Sequence, residues 1–220
     1  MITDRLNIVI VSDSEAFAQA MNLRREIFVG ECKLDEHVEF DGNDYCSTHI
    51  LALDGNKPIG TMRIRYFSDF VKMERMCVLK DYRKTDVAEQ IMQKGMLFVA
   101  QKGYDKVYGI CKKELLSRWK KDGFEVIPDA PCIEQKDYSL IPVWCKLQKP
   151  SSFITMQTSA EILNAKEGEW FNDKSSSAVD RIKALTDKVK FMKSDSAKSE
   201  QKWFAPLIYP LSNKTDDKSY

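Results

Sequence analysis

Along the first two-thirds of the chain, apolar residues recur at two different spacings, which reads as strands and helices mixed around one sheet. Residues 6–11 form a short β-branched run. The next four, Ser12-Asp13-Ser14-Glu15, place a carboxylate three residues after a serine, a capping-box pattern that predicts a helix start. Ala16, Phe17, Ala20, Leu23, Ile27 and Phe28 then recur at helical spacing through about Val29. Residues 48–53 and 59–66 flank Asp54-Gly55-Asn56 and predict an antiparallel hairpin, with a third strand over 71–79. The period changes again at Val87, Ala88, Ile91, Met92, Gly95, Leu97, Phe98 and Val99, which suit a helix closed by Lys102-Gly103. A strand over 106–111, a helix over 114–121 and strands over 124–127 and 141–147 complete an α/β pattern.

Two stretches break the rhythm. Residues 31–44 are densely charged and irregular, a loop long enough to be functional. From residue 149 the chain becomes rich in Ser, Lys and Asp, so the expected organisation is a core domain over 1–148 and an appendage over 149–220. Val179, Ile182, Leu185, Val189 and Met192 predict an amphipathic helix in that appendage. Residues 203–211 are apolar enough to require a docking surface on the core, on a second copy in a homodimer, or on a partner.

Composition narrows the classes. A chain of 220 residues suffices for one substantial core plus an appendage. The net charge of +1 provides no global attraction to phosphate backbones, so nucleic acid is not an expected partner. No stretch approaches the roughly 20 apolar residues of a transmembrane helix, and the start lacks an apolar signal region; the expected location is the cytoplasm. Cys32, Cys46, Cys77, Cys111, Cys132 and Cys145 contain no CxxC pair, and only His37 and His49 could join them, so no metal site is expected.

The segment Glu74-Arg75-Met76-Cys77-Val78 followed by Arg83-Lys84-Thr85-Asp86-Val87-Ala88 resembles the hallmark of the GNAT acyltransferases. That hallmark is a strand, a Q/R-x-x-G-x-G/A loop and a helix whose N-terminus holds the pyrophosphate of coenzyme A. The resemblance implies an α+β fold with a mixed, mostly antiparallel sheet flanked by helices. It also implies an acyl-CoA or acetyl-CoA donor held by Met76, Cys77, Val78, Arg83, Lys84, Thr85, Asp86, Val87, Ala88 and Trp119. The Cys77 or Val78 N–H would polarise the thioester carbonyl. Ser117 to Phe124 resembles the second signature of the superfamily. Residues 23–29, then Glu39-Phe40-Asp41, Asp44 and Gly60-Thr61-Met62-Arg63, are similar to acyl-homoserine-lactone synthases and to small bacterial GNAT proteins. That likeness implies an acceptor site of Arg24, Phe28, Asp41, Asp44 and Arg63.

Two positions depart from the family pattern. Asp86 stands at the first loop glycine, and with Glu89 it also reads as a capping box that would satisfy the helix's own amides. A carboxylate about 6 Å from a phosphate costs roughly 3 kcal/mol per unit charge at an effective dielectric near 20. An acyl-carrier protein, whose arm lacks the pyrophosphate, is therefore an alternative donor. Trp119 replaces the tyrosine that protonates the departing thiolate, and indole cannot supply that proton; Tyr108 or Cys111 on the neighbouring strand, or solvent, are the alternatives.

The residues themselves suggest the remaining chemistry. Glu74 is a charged residue in an apolar strand and so a candidate base for the amine; its alternative is an ion pair with Arg63, Arg65 or Arg75. Asp41 and Asp44 suit a cationic amine, and Arg24 and Arg63 a carboxylate, which together describe a small amino-acid-like acceptor. The alternative is that the arginines pair with the aspartates and stabilise the loop. The expected function is N-acyl transfer from acyl-CoA or acyl-carrier protein. The alternative is a non-catalytic module of the same fold that binds an acyl ligand or mediates assembly.

Overall fold

A computed structural model describes residues 5–134 and 139–171. The helix expected over 178–192 and the apolar segment over 203–211 lie outside the described residues.

Strand β1 (Leu6–Ile10) leads into helix α1 (Ser14–Arg24), whose N-cap Asp13 accepts from the Ala16 amide at 2.8 Å. The helix then loosens into a π-helical stretch (Arg25–Glu31). The charged loop contains one short helix, α2 (Glu36–Glu39), and ends on a 3₁₀ turn (Asp44–Cys46). Strands β2 (Thr48–Asp54), β3 (Lys57–Tyr66) and β4 (Val71–Val78) follow as an antiparallel meander, the expected hairpin extended by one strand. Helix α3 (Val87–Gln101) returns the chain to β5 (Lys106–Lys112), which lies parallel to β4. Helix α4 (Leu116–Lys121), the short strands β6 (Glu125–Val126) and β7 (Ile133–Glu134), and β8 (Ser139–Lys146) complete the sheet.

The strand order is β1-β2-β3-β4-β5-β8-β6, with β7 also on β8; among the described residues every pairing except β4–β5 is antiparallel. This is the mixed, mostly antiparallel sheet flanked by helices that the sequence leads one to expect. Helix α3 covers one face: Ile91, Phe98 and Val99 pack with Ile50, Met62, Ile64 and Met73. Close approach requires Gly95, where a Cβ would lie 2.5 Å from Met62 Cε. The other face carries α1 and the π-helical stretch, with Ala20 and Leu23 on Leu51 and with Ile27 and Phe28 on Cys77.

Residues beyond 148 also touch this core. A short helix, α5 (Ala160–Leu163), lies in a segment that folds back: the Ile154 amide donates to the Gln101 carbonyl at 2.8 Å, and Trp170 stacks on Phe98 at 5.4 Å.

Candidate functional site

Strands β4 and β5 pair at only two positions, Val71 with Val107 and Lys72 with Tyr108, although both run on for several residues more. The sheet therefore opens into a cleft bounded by the Glu74 to Val78 half of β4 and the Gly109 to Lys112 half of β5. A β-bulge produces the change of course. Arg75 has φ +53, in the left-handed region, and the β3–β4 register shifts between Thr61 and Arg63. Val71, Met73, Met76 and Val78 pack in the core beneath α3, whereas Glu74 and Arg75 both face the α1 side. A non-glycine held at positive φ in the middle of a strand costs of order 1–3 kcal/mol and persists where the surroundings over-determine it.

Those surroundings are a buried ion network. Arg24 and Arg63, both fully buried, form its centre. Arg24 donates from Nε to Glu39 Oε1 at 2.5 Å, from Nη1 to Asp44 Oδ1, and from Nη2 to the Glu39 carbonyl at 3.0 Å. All five N–H groups of Arg63 are matched: Nε and Nη2 reach Glu74 Oε1 at 3.1 and 2.7 Å, Nη1 reaches Asp41 and Asp44, and Nη2 also reaches Asp41. Arg75 pairs with Glu39 at 2.9 Å and donates to the Val38 carbonyl, while Lys72 pairs with Glu74 Oε2 at 2.7 Å. The carboxylates of Glu39, Asp41, Asp44 and Glu74 are thus faced by Arg24, Arg63, Arg75 and Lys72. Register explains the meeting, because Arg63 on β3 sits opposite Glu74 on β4 and opposite His49 on β2.

The network sets the protonation states. Burial opposes ionisation of Glu74, but Lys72 and Arg63 outweigh it and hold the carboxyl below its ordinary range. Burial likewise opposes ionisation of Asp41 and Asp44; Arg63 overcomes it for Asp41, and Arg24 with Arg63 for Asp44. Burial drives His49 down to about 4, so its ring is neutral. Its Nε2 lies 3.1 Å from the Asp44 carbonyl, and Nδ1 has no hydrogen-bond partner among the described residues. Tyr108, at the fork of the cleft, is raised by burial and by the Glu74 charge and keeps its phenol proton. Cys111 lies in the core under α3, where burial pushes its thiol up to about 11.

At the outer end of the cleft stands the N-terminus of α3. Arg83 donates from Nε to the Val78 carbonyl at 2.9 Å, which aims the remainder of its guanidinium outward. The capping box expected of Asp86 and Glu89 does not form. Asp86 has φ −86 and ψ 5, not the extended backbone of a capping residue, and makes no capping hydrogen bond. Its carboxylate accepts instead from Gln90 Nε2 at 2.9 Å. Thr85 Oγ1 donates to the Tyr82 carbonyl and receives the Val87 amide at a long 3.4 Å. The positive end of the α3 dipole therefore remains uncapped by Asp86, beside Arg83.

The sequence-predicted residues fall into these two groups and a buried remainder. Asp41, Asp44, Arg24, Arg63 and Glu74 meet in the network. Met76, Cys77 and Val78 line the end of β4, and Arg83, Lys84, Thr85, Asp86, Val87 and Ala88 lead into α3. Phe28 is buried with Ile27, Leu34 and Cys77 beneath the network. Trp119 lies on β5 on the α3 side, edge-to-face with Phe124 at 4.6 Å; a Cβ at Gly109 would come within 2.7 Å of its ring. Sequence reasoning quoted Glu39 in the stretch similar to acyl-homoserine-lactone synthases but gave it no site role, and it missed Lys72, whose only signal was its charge.

The comparisons with known proteins agree on the family. The model of the acetyltransferase (GNAT) family matches residues 17–117. The chain is 31% identical over 124 residues to the uncharacterized N-acetyltransferase YjcF of Bacillus subtilis, spanning 56% of this chain and 89% of that protein. Among solved structures, Escherichia coli ElaA shares the fold with a TM-score of 0.56 at 21% identity, over 64% of this chain and 99% of that one. A CoA-dependent acyl-homoserine lactone synthase, BjaI, solved with SAM and isopentyl-CoA, shares it with a TM-score of 0.56 at 20% identity, over 66% of this chain and 84% of that one.

Proposed function

This chain belongs to the GNAT family and is an acyltransferase, and from that premise we propose that it moves an acyl group from acyl-CoA to the amine of a small, amino-acid-like acceptor. The observation that carries the donor half is the parting of β4 from β5 after two residue pairs, with the N-terminus of α3, which Asp86 does not cap, at the outer end of the opening. In this reading the diphosphate rests on Arg83, Lys84 and the first turn of α3, and the pantetheine arm runs back along β4 past Val78, Cys77 and Met76. From Val78 to Glu74 the strand spans about 13 Å at roughly 3.3 Å per residue. That length brings the thioester beside Glu74 and Tyr108 at the fork.

The acceptor binds on the α1 face over the ion network. Asp41 is the most exposed of the four carboxylates, at 27% of its side chain, and is the one that receives the cationic amine. Arg63 has all five donors engaged, so it orients Asp41 and Glu74 rather than reaching the acceptor's carboxylate itself. Glu74 takes the amine proton, directly or through water. Because it shares its oxygens with Arg63 and Lys72 it is a weakened base, and its contribution is about tenfold, below the usual 10²–10⁴ of general-base catalysis. Tyr108, which keeps its proton, returns one to the departing thiolate. Among the described residues no helix is long and apolar enough to cross a membrane.

The test is thermal unfolding in the presence of acetyl-CoA, a long-chain acyl-CoA and an acylated carrier protein, followed by turnover with a panel of amino acids and small amines. A donor present at 100 times its Kd stabilises the folded chain by about 2.7 kcal/mol. A rise in Tm with acyl-CoA is expected; a rise with the carrier protein alone would transfer the donor role to it, and no rise with either would remove the reading. Glu74→Gln is expected to lower kcat about tenfold when assayed well below its own Tm, which falls because Arg63 and Lys72 lose a buried carboxylate; a folded variant with an unaltered rate would take Glu74 out of the mechanism.

A further inference from the structure

We propose that Glu31 is a donor-selecting residue: its carboxylate occupies the outward fork of Arg83, so that a thioester donor carrying a diphosphate must displace it and one lacking a diphosphate need not. The inference rests on the donor reading above. Arg83 is mostly buried and is fixed by its Nε bond to the Val78 carbonyl. Its Nη1 and Nη2 meet Oε1 and Oε2 of Glu31 as a two-pronged pair, the geometry by which a guanidinium also grips two phosphate oxygens. Glu31 is thus a carboxylate standing where an anionic group of the ligand would stand.

The position is enforced from below. Glu31 ends the π-helical stretch, and Ile27 and Phe28 of that stretch are buried against Cys77 of β4. The backbone is thereby held over the end of β4, while the Glu31 side chain is half-exposed at the mouth. The charge around the mouth favours the exchange. Lys80 and Arg83 act on the Glu31 carboxylate, and Lys112 and Arg83 act on the adjoining Cys32 thiol, so Glu31 is an anion in a basic rim. A diphosphate brings more negative charge than a single carboxylate to the same fork and to the α3 N-terminus beside it, whereas pantetheine brings none.

The experiment is calorimetric titration of the full chain and of Glu31→Gln with CoA and with pantetheine, with Tm recorded for each protein. Glu31→Gln is expected to bind CoA about tenfold more tightly while its affinity for pantetheine stays within twofold. That gain is expected to vanish when Arg83→Ala is combined with Glu31→Gln, because the carboxylate acts through the guanidinium. Unchanged or weaker CoA binding by Glu31→Gln would overturn the proposal, as would equal tightening for both ligands or a gain that survives without Arg83. If neither CoA nor pantetheine binds the unaltered chain, the donor reading itself falls and the Glu31–Arg83 pair is a surface contact only.

Discussion

Arg63 shows how much one side chain can organise. Its fork joins two strands' worth of chemistry, Glu74 from β4 and Asp41 and Asp44 from the charged loop, and each N–H has a geometric match. Replacing a buried ion pair by apolar groups on both sides is often neutral, but removing one partner leaves carboxylates buried without compensation. Arg63→Met is therefore expected to destabilise the fold by about 3–5 kcal/mol, read from urea denaturation. His49 offers a subtler test. Its folded-state pKa is near 4 against 6.5 when exposed, so between those values the unfolded chain binds the extra proton and stability falls as pH drops. The loss from this residue amounts to roughly 3 kcal/mol over that window. Unfolding free energies measured from pH 7 to pH 4 should decline less steeply in His49→Gln; parallel slopes would mean the ring is not held neutral.

At the scale of elements, α3 was legible because one apolar stripe persists at the helical period along its 15 residues, and the hairpin was legible from its turn and alternation. The points where elements are bent for chemistry were not. Nothing in Arg24 to Glu31 marks where the α-helix becomes a π-helix, and the bulge at Arg75 lacks the glycine that usually announces a positive φ. Asp86 and Glu89 matched a capping pattern, yet the preceding turn gives Asp86 the wrong backbone angles to cap. The sequence offered both a functional role and a pairing role for Arg24, Arg63 and Glu74; the β3–β4 register sets Arg63 against Glu74, and the charged loop brings Glu39 and Asp44 to Arg24. Glu31 and Arg83 lie 52 positions apart, and no periodic pattern links them. One packing dependence between elements can be tested directly. Gly109 on β5 leaves room for the indole of Trp119 on α4, which cannot bend aside from a Cβ 2.7 Å away. Gly109→Ala is expected to cost roughly 1–3 kcal/mol and to alter the near-ultraviolet signal of the tryptophans, checked by denaturant titration and circular dichroism.

On the scale of the whole molecule, the question is where the acyltransferase core ends. Composition suggests residue 148, because the following sequence is polar and rich in serine. Packing continues beyond it. Gly168, at φ +85, lies so close to β1 that a Cβ there would meet Ile10 Cγ1 at 2.8 Å. Trp170 stacks on Phe98, and Lys102 is enclosed by the rings of Tyr66, Phe98 and Trp170 while pairing with Glu167. The segment from 150 to 171 thus ties the C-terminal end of α3 to edge strand β1, and it holds the helix whose opposite end faces the cleft between β4 and β5. A few aromatic contacts are invisible to composition, yet they contribute more than the many polar residues between them. Trp170→Ala should lower unfolding free energy by about 2 kcal/mol, below the 3–5 kcal/mol of a fully buried tryptophan because its ring is partly exposed. The same substitution should leave the Kd for CoA within twofold, since the cleft lies at the other end of α3. A stability loss under about 0.5 kcal/mol would show that the core ends where its composition changes, and a large loss of CoA binding would show that α3 transmits the disturbance along its length.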